Sequence, residues 1–251
     1  MTHPLSLFTS TVASMVTMPR GLFSRGRAHQ PEQALALYEF ENCPHCRVVR
    51  EALTQLDLEA TIYPCPKGGE RFRTEVIAMG GKAQFPYLVD HNTGDRLYES
   101  TAIIRHLYVH YGYHLPSALR IALLAKPPSI IASAARNGGG MRVSASRAPD
   151  QLLDLWSFEA SPFARLVRER LCELELPYRL HNVAKTRAVD LLPPALRSIW
   201  LADYVPESAN RKALLERTGA VQVPYLYDAN TDTGLFESAE IIRYLDKTYA
   251  L

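Results

Sequence analysis

Short apolar runs alternate with stretches of helical spacing along this chain, and turn residues separate them. Ala34 to Phe40 is an apolar run of strand length. A turn holding two cysteines follows, and from about Cys46 to Leu56 the spacing becomes helical, with Val49 and Leu53 on one face. Glu59 to Tyr63 reads as a second strand, and a helix from about Arg71 to Met79 stops at Gly80-Gly81. Pro86 opens a third strand, Tyr87 to Val89. Asn92-Thr93-Gly94 signals a turn, and a fourth strand lies near Arg96 to Tyr98. Ser100 then caps a last helix running to Gly112. The order βαβαββα predicts a four-stranded mixed sheet with helices on its faces, an α/β fold.

The pattern occurs twice. Leu37-Tyr38-Glu39-Phe40-Glu41 returns as Leu155-Trp156-Ser157-Phe158-Glu159, and Arg47-Val48-Val49-Arg50-Glu51 as Arg165-Leu166-Val167-Arg168-Glu169, at a constant offset of 118. Phe85-Pro86-Tyr87-Leu88 then meets Val223-Pro224-Tyr225-Leu226, and Tyr98-Glu99-Ser100 meets Phe236-Glu237-Ser238, at an offset of 138. The change places about 20 extra residues between Lys185 and Arg217, read as an added helix containing Leu191-Leu192-Pro193-Pro194 and Ile199-Trp200-Leu201. The division expected is a basic apolar lead segment (1–33), a first domain (34–112), a linker (113–150) most flexible at Gly138-Gly139-Gly140, and a second domain (151–251) with its inserted helix near 186–207.

Charge and composition narrow the function classes. A net charge of +2 with no concentrated basic face does not suggest a nucleic-acid binder. No apolar run reaches the roughly 18 residues that cross a bilayer, so integral membrane insertion is not expected. Residues 1–30 lack acids and carry Arg20, Arg25 and Arg27, a transit-peptide composition, yet the internal stretch Tyr113 to Pro149 is acid-free and basic too. The economical reading is a similar basic lead before each domain. Leu5 to Met18, apolar and followed by arginines, also fits peripheral membrane association, with packing on the protein's own domains as the competing reading. The expected compartment is the cytoplasm, or an organelle if residues 1–30 are a transit peptide.

Of four cysteines, Cys43 and Cys46 form a Cys-x-x-Cys pair, which in a chain without secretory features reads as redox or metal chemistry. Zinc usually takes four ligands, often from two such pairs, and there is no second pair here; no metal ligands are assigned. An iron–sulfur cluster shared between two chains stays open. Cys65 is read as a small semi-buried residue and Cys172 as core.

A strand, then Cys43-Pro44-His45-Cys46 opening a helix, then Pro86 after an apolar residue, then Glu99-Ser100 at the last helix, resembles the thioredoxin superfamily. More narrowly it is similar to glutaredoxins and to the N-terminal domain of glutathione transferases, over about residues 35–112 and 152–250. Two tandem thioredoxin-like domains are therefore expected, without the all-helical domain that follows in full transferases. A cysteine at a helix N-terminus meets unpaired N–H groups and a partial positive charge, which favour the thiolate. His45 and Arg47 are expected to add positive potential. Cys43 is the expected nucleophile and Cys46 the resolving thiol, with glutathione as cofactor and small or protein disulfides as partners.

The resemblance further implies that Phe85 offers its main chain to glutathione, that Pro86 is cis, that Glu99 and Ser100 hold the γ-glutamyl end, and that Lys67 pairs with the glycyl carboxylate. Simple helix capping is the competing account of Glu99-Ser100, and a solvated lysine that of Lys67. In the second copy Ser161 replaces Cys43 and Ala164 replaces Cys46, so disulfide exchange is excluded there. Either Ser161, Lys185, Val223, Pro224, Glu237 and Ser238 form a second glutathione pocket, or the copy is a structural partner. The function expected is a glutathione-dependent thiol–disulfide oxidoreductase or thiol transferase; the alternative is a non-catalytic tandem module binding glutathione or a protein.

Overall fold

The computed structural model describes residues 4–17, 20–25, 29–112, 116–136, 138–192 and 204–251. The first copy runs β1 (Leu35–Glu39), α2 (Pro44–Gln55), β2 (Ala60–Pro64), α3 (Arg73–Gly80), β3 (Tyr87–Asp90), β4 (Asp95–Tyr98) and α4 (Ser100–Tyr111). The second runs β5 (Leu153–Ser157), α6 (Pro162–Glu173), β6 (Tyr178–Asn182), a 3-10 turn (Ala188–Leu191), α7 (Ala209–Thr218), β7 (Tyr225–Asp228), β8 (Thr233–Phe236) and α8 (Ser238–Tyr249). The element order expected for each copy is present. Of the expected inserted helix only the 3-10 turn and the run from Tyr204 fall among the described residues; Pro193-Pro194 and Ile199-Trp200-Leu201 lie outside them.

The sheets differ from expectation. Instead of two separate four-stranded sheets there is one eight-stranded sheet, ordered β4-β3-β1-β2-β6-β5-β7-β8. Within each half the first two strands are parallel and the rest antiparallel. The halves meet where β2 pairs antiparallel with β6, Ala60 opposite Leu180 and Ile62 opposite Tyr178. The physical reason is the edge: β2 and β6 each have one unpaired side and apolar inward positions, and an open edge of that kind invites association. Pairing the two edges closes both, and one continuous core then spans Leu37, Val49, Ile62 and Ile104 of the first copy and Leu155, Val167, Leu180 and Ile241 of the second.

The lead segments are also structured. Residues Pro4–Thr17 form α1, and the expected linker contains the helix α5 (Pro116–Ala135). Each lead packs on the copy other than the one it precedes, α1 on the second and α5 on the first. The helix α1 lies on α6, where the Ser10 hydroxyl donates to the Pro162 carbonyl at 2.7 Å. The helix α5 lies on α2, where the Ser129 hydroxyl donates to the Pro44 carbonyl at 2.8 Å. Downstream, Lys185 N–H donates to Leu22 C=O at 3.0 Å, and Lys67 N–H to Met141 C=O at 2.7 Å. The duplication thus extends through the leads, and the crossing straps the halves together. On α1, Ala13 faces inward while Leu5, Phe8 and Met15 are exposed. Among the described residues no helix is long and apolar enough to cross a membrane.

In the glycine run expected to be flexible, Gly139 and Gly140 have close neighbours while Gly138 faces open space. Gly140 has φ +70, and a Cβ there would stand 2.8 Å from Glu41 Cβ; Gly21, its counterpart, has φ +68 and would meet Glu159 Cβ at 2.8 Å. A side chain therefore meets both left-handed backbone strain and a close neighbour. Gly140→Ala is expected to cost about 1–3 kcal/mol, read as a lowered urea midpoint at unchanged slope.

Between the copies lies a buried ionic cluster. Glu159 accepts from Arg50 at 2.8 Å, Arg168 at 3.1 Å and Arg47 at 3.3 Å, while Glu41 holds Arg168 at 3.1 Å. Arg50 also bonds Glu39. Isolated guanidinium and carboxylate groups would not be buried, because desolvation costs several kcal/mol per ion; the mutual bonds repay it.

Candidate functional site

Cys43 is the residue where β1 hands the chain to α2. Its φ −74 and ψ 119 are extended, Pro44 fills the first helical position, and the Cys43 sulfur accepts the Cys46 N–H at 3.2 Å. The sulfur thus caps the helix, in the place usually taken by a hydroxyl or carboxylate oxygen. All four cysteines are free thiols and buried.

The two thiols are split electrostatically. Hydrogen bonding from the Cys46 side chain, joined by the Cys46 and His45 N–H groups, holds the Cys43 thiol below its ordinary value against burial and the Glu39 carboxylate. Burial, then the bond to Cys43 and its charge, push the Cys46 thiol well above. A charge at the site therefore rests on Cys43. Arg47, expected to add positive potential, directs its guanidinium to Glu159 and to Ser133 Oγ. His45 is exposed.

The other expected residues join Cys43 through a run of contacts. Cys43 N–H donates to Phe40 C=O at 3.0 Å, and the Phe40 ring stands edge-on to Phe85 at 6.4 Å. Phe85 precedes Pro86 across a cis bond, and both lie just before β3 begins. Gln84 donates to the Glu99 carboxylate. Glu99, not Ser100, is the cap residue of α4; it has φ 67 and ψ 116 and makes no side-chain capping bond, so simple capping does not account for it. A non-glycine residue held there costs on the order of 1–3 kcal/mol, and such strain clusters at functional sites. Ser100 is buried at the first helical position. The Lys67 main chain is paired to the lead strand, leaving its side chain exposed.

Sequence reasoning did not single out Arg73 and Gln84. Arg73 lies 4.7 Å over the Phe85 ring and donates to the carbonyls of Cys65 and Pro66, tying the Lys67 side of the site to Phe85. Gln84 was findable: Gln222 stands at the same offset and donates to Glu237 at 2.7 Å. Cys65 is fully buried just past β2, where burial raises its thiol. Cys172 is more than core filling: its sulfur accepts Glu41 N–H at 3.4 Å and its thiol donates to Gly140 C=O at 3.2 Å.

The second copy repeats the scaffold without the thiols. Ser161 caps α6 with φ −70 and ψ 114, its hydroxyl oxygen accepting Ala164 N–H at 3.2 Å. Val223–Pro224 is cis, and Glu237 has φ 64 and ψ 118 ahead of the buried Ser238. The Lys185 ammonium lies 5.9 Å from the Phe158 ring.

No curated protein and no solved structure matches the chain. The family model described as glutathione S-transferase, N-terminal domain, matches residues 37–116 and 155–251. Together these segments make up more than half of the chain and coincide with the two halves of the sheet, so the chain belongs to the glutathione S-transferase N-terminal domain family, whose domain it carries twice.

Proposed function

We propose that the protein is a glutathione-dependent thiol–disulfide oxidoreductase or thiol transferase acting through Cys43. The family has a glutathione-related thiol function, and the observation that carries the finer reading is the split pair at the α2 N-terminus: Cys43 held toward thiolate, Cys46 held as thiol. In this reading the Cys43 thiolate attacks the glutathionyl sulfur of a mixed disulfide. A Cys43–glutathione bond forms and the partner thiolate leaves, taking a proton from water. Cys46 then gives up its proton and attacks Cys43, releasing glutathione thiolate and leaving a Cys43–Cys46 disulfide that further glutathione reduces. Phe85 with Pro86, Glu99, Ser100 and Lys67 are the proposed glutathione contacts. Ser161, Lys185, Val223, Pro224, Glu237 and Ser238 are the proposed counterparts in the second copy, where binding without exchange is the only chemistry open, unless that copy serves as a structural partner.

One observation favours the non-catalytic reading, a tandem module that binds glutathione or a protein: Cys43 is only 4% exposed. Intact mass after incubation with oxidised glutathione separates the two. Cys46→Ser is expected to accumulate one glutathione adduct, while the wild type proceeds to an internal disulfide. Adduct formation no faster than on an unfolded control thiol favours the module.

A further inference from the structure

At the far end of α4 from Glu99, three side chains converge that the thiol chemistry does not use. Asp95 at the start of β4, and His106 and His110 one turn apart on α4, each offer a ligand atom, and these atoms lie within 4.8 Å of one another. Histidines four apart share one helix face, the spacing that lets a helix present two imidazoles to one ion. The three line a surface cleft of about 690 Å³ together with Leu97, Arg105 and Val109, and Glu99 stands at its other end.

The hydrogen bonding of His106 carries the argument. Its Nε2 lies 2.8 Å from the buried Asp90 carboxylate, which also accepts from Tyr111 at 2.6 Å. Asp90 is acceptor-only, so Nε2 carries the proton, and in the neutral ring Nδ1 then presents a lone pair. That lone pair faces the Asp95 carboxylate at 3.6 Å, with the His110 ring 4.4 Å from the His106 ring. A proton on Nδ1 would make that contact an ion pair; in the neutral ring the two acceptors face one point, where a divalent cation can take the proton's place. Two donors at 2.0–2.1 Å on a tetrahedral ion are about 3.4 Å apart, close to the 3.6 Å between His106 Nδ1 and Asp95.

The second copy removes the structural alternative. Asp228 stands in the place of Asp90, and there a tyrosine does the pinning: Tyr244, at the His106 position, donates to Asp228 at 2.6 Å. With Tyr249 donating as Tyr111 does, holding the hairpin to the helix at the His106 position therefore needs a single donor and no second ring nitrogen. Where His106 gives way to Tyr244, Asp95 is replaced by Thr233 and His110 by Thr248, so all three ligand types are absent together.

We propose that Asp95, His106 and His110 form a zinc-class divalent metal site, with Asp90 as the carboxylate that orients His106 and an open fourth position toward the cleft. Three protein ligands plus an exchangeable one is the arrangement of zinc sites that bind a small anion or water. The three ligands take no part in the cysteine chemistry, although their cleft reaches Glu99.

The test uses the full chain carrying Cys43→Ser and Cys46→Ser, so that the thiols cannot bind the probe. Zinc chloride is titrated in competition with a chromophoric chelator, and cobalt chloride is added separately to read the visible spectrum of a four-coordinate ion. One equivalent of zinc is expected, with affinity reduced at least about 10-fold by His110→Ala and by Asp95→Asn, and the cobalt band lost in both. Both side chains are partly exposed, and circular dichroism checks that the fold is kept. Absence of stoichiometric binding, or an affinity unchanged by both substitutions, overturns the proposal.

Discussion

Replacing Cys43 with serine is expected to lower turnover of a glutathione mixed disulfide by roughly 10³-fold or more, as removal of a nucleophile does. The loss is expected to be chemical and not structural, and the protein itself supplies the control. Ser161 occupies the same cap of the same turn in the second copy, with dihedral angles within a few degrees and the same 3.2 Å bond from the N–H three residues on. Serine is therefore at home in this geometry, and stability should stay within about 0.5 kcal/mol of wild type. The comparison of activity with unfolding midpoint on one preparation decides the matter. Full turnover in Cys43→Ser removes Cys43 as nucleophile, whereas lost turnover with a lowered midpoint reports only damage.

How much of this was legible in the sequence depends on the range of the interaction. The strands, the α2 turn and the cis-proline element rest on neighbours within a few residues, and the duplication displays them twice. The joining of the sheets is not local: Ala60-Thr61-Ile62 and Tyr178-Arg179-Leu180 are ordinary strand residues, and nothing in either names the other as its partner. The leads misled for a physical reason. Pro127 and Pro128 inside α5, followed by three glycines, read as a linker, yet packing on α2 holds the helix and Glu41 fills the space beside Gly140. Arg47 and Arg50 were visible as repeat markers, but their partner Glu159 lies more than a hundred residues away and becomes a neighbour only once the halves dock. His106 and His110 were overlooked because their third ligand comes from a hairpin, and the pattern differs between the copies.

That docking makes Glu159 the substitution with the largest expected effect on stability. Burial alone raises its carboxyl, but the guanidiniums of Arg168, Arg50 and Arg47 outweigh it and hold the group well below its ordinary value of 4.5. Glu159→Gln keeps the shape and removes the charge, leaving buried guanidiniums short of their partner; the expected loss is about 3–5 kcal/mol in urea unfolding. The exposed pair Arg243–Glu240 is the contrast, since Glu240→Gln should cost under about 1 kcal/mol. The pH dependence has two arms. Below 4.5 the unfolded Glu159 binds a proton that the folded one refuses, so its stabilisation, complete above that value, is lost as pH falls; Glu159→Gln should flatten this arm. Glu39 and Glu51 act oppositely. Burial lifts each to about 7 against Arg50 and Arg20 respectively, so between 4.5 and 7 the folded state holds protons the unfolded state has released, and stability declines as pH rises through this range. The second copy has the neutral Ser157 in place of Glu39. Glu39→Gln is therefore expected to shrink the upper arm, and, by removing a carboxylate that opposes the Cys43 thiolate, to shift Cys43 alkylation to lower pH. An unchanged upper arm would show that Glu39 stays ionised on Arg50 throughout and that the cluster carries its full charge at neutral pH, and unmoved alkylation would show that the Glu39 charge does not reach Cys43.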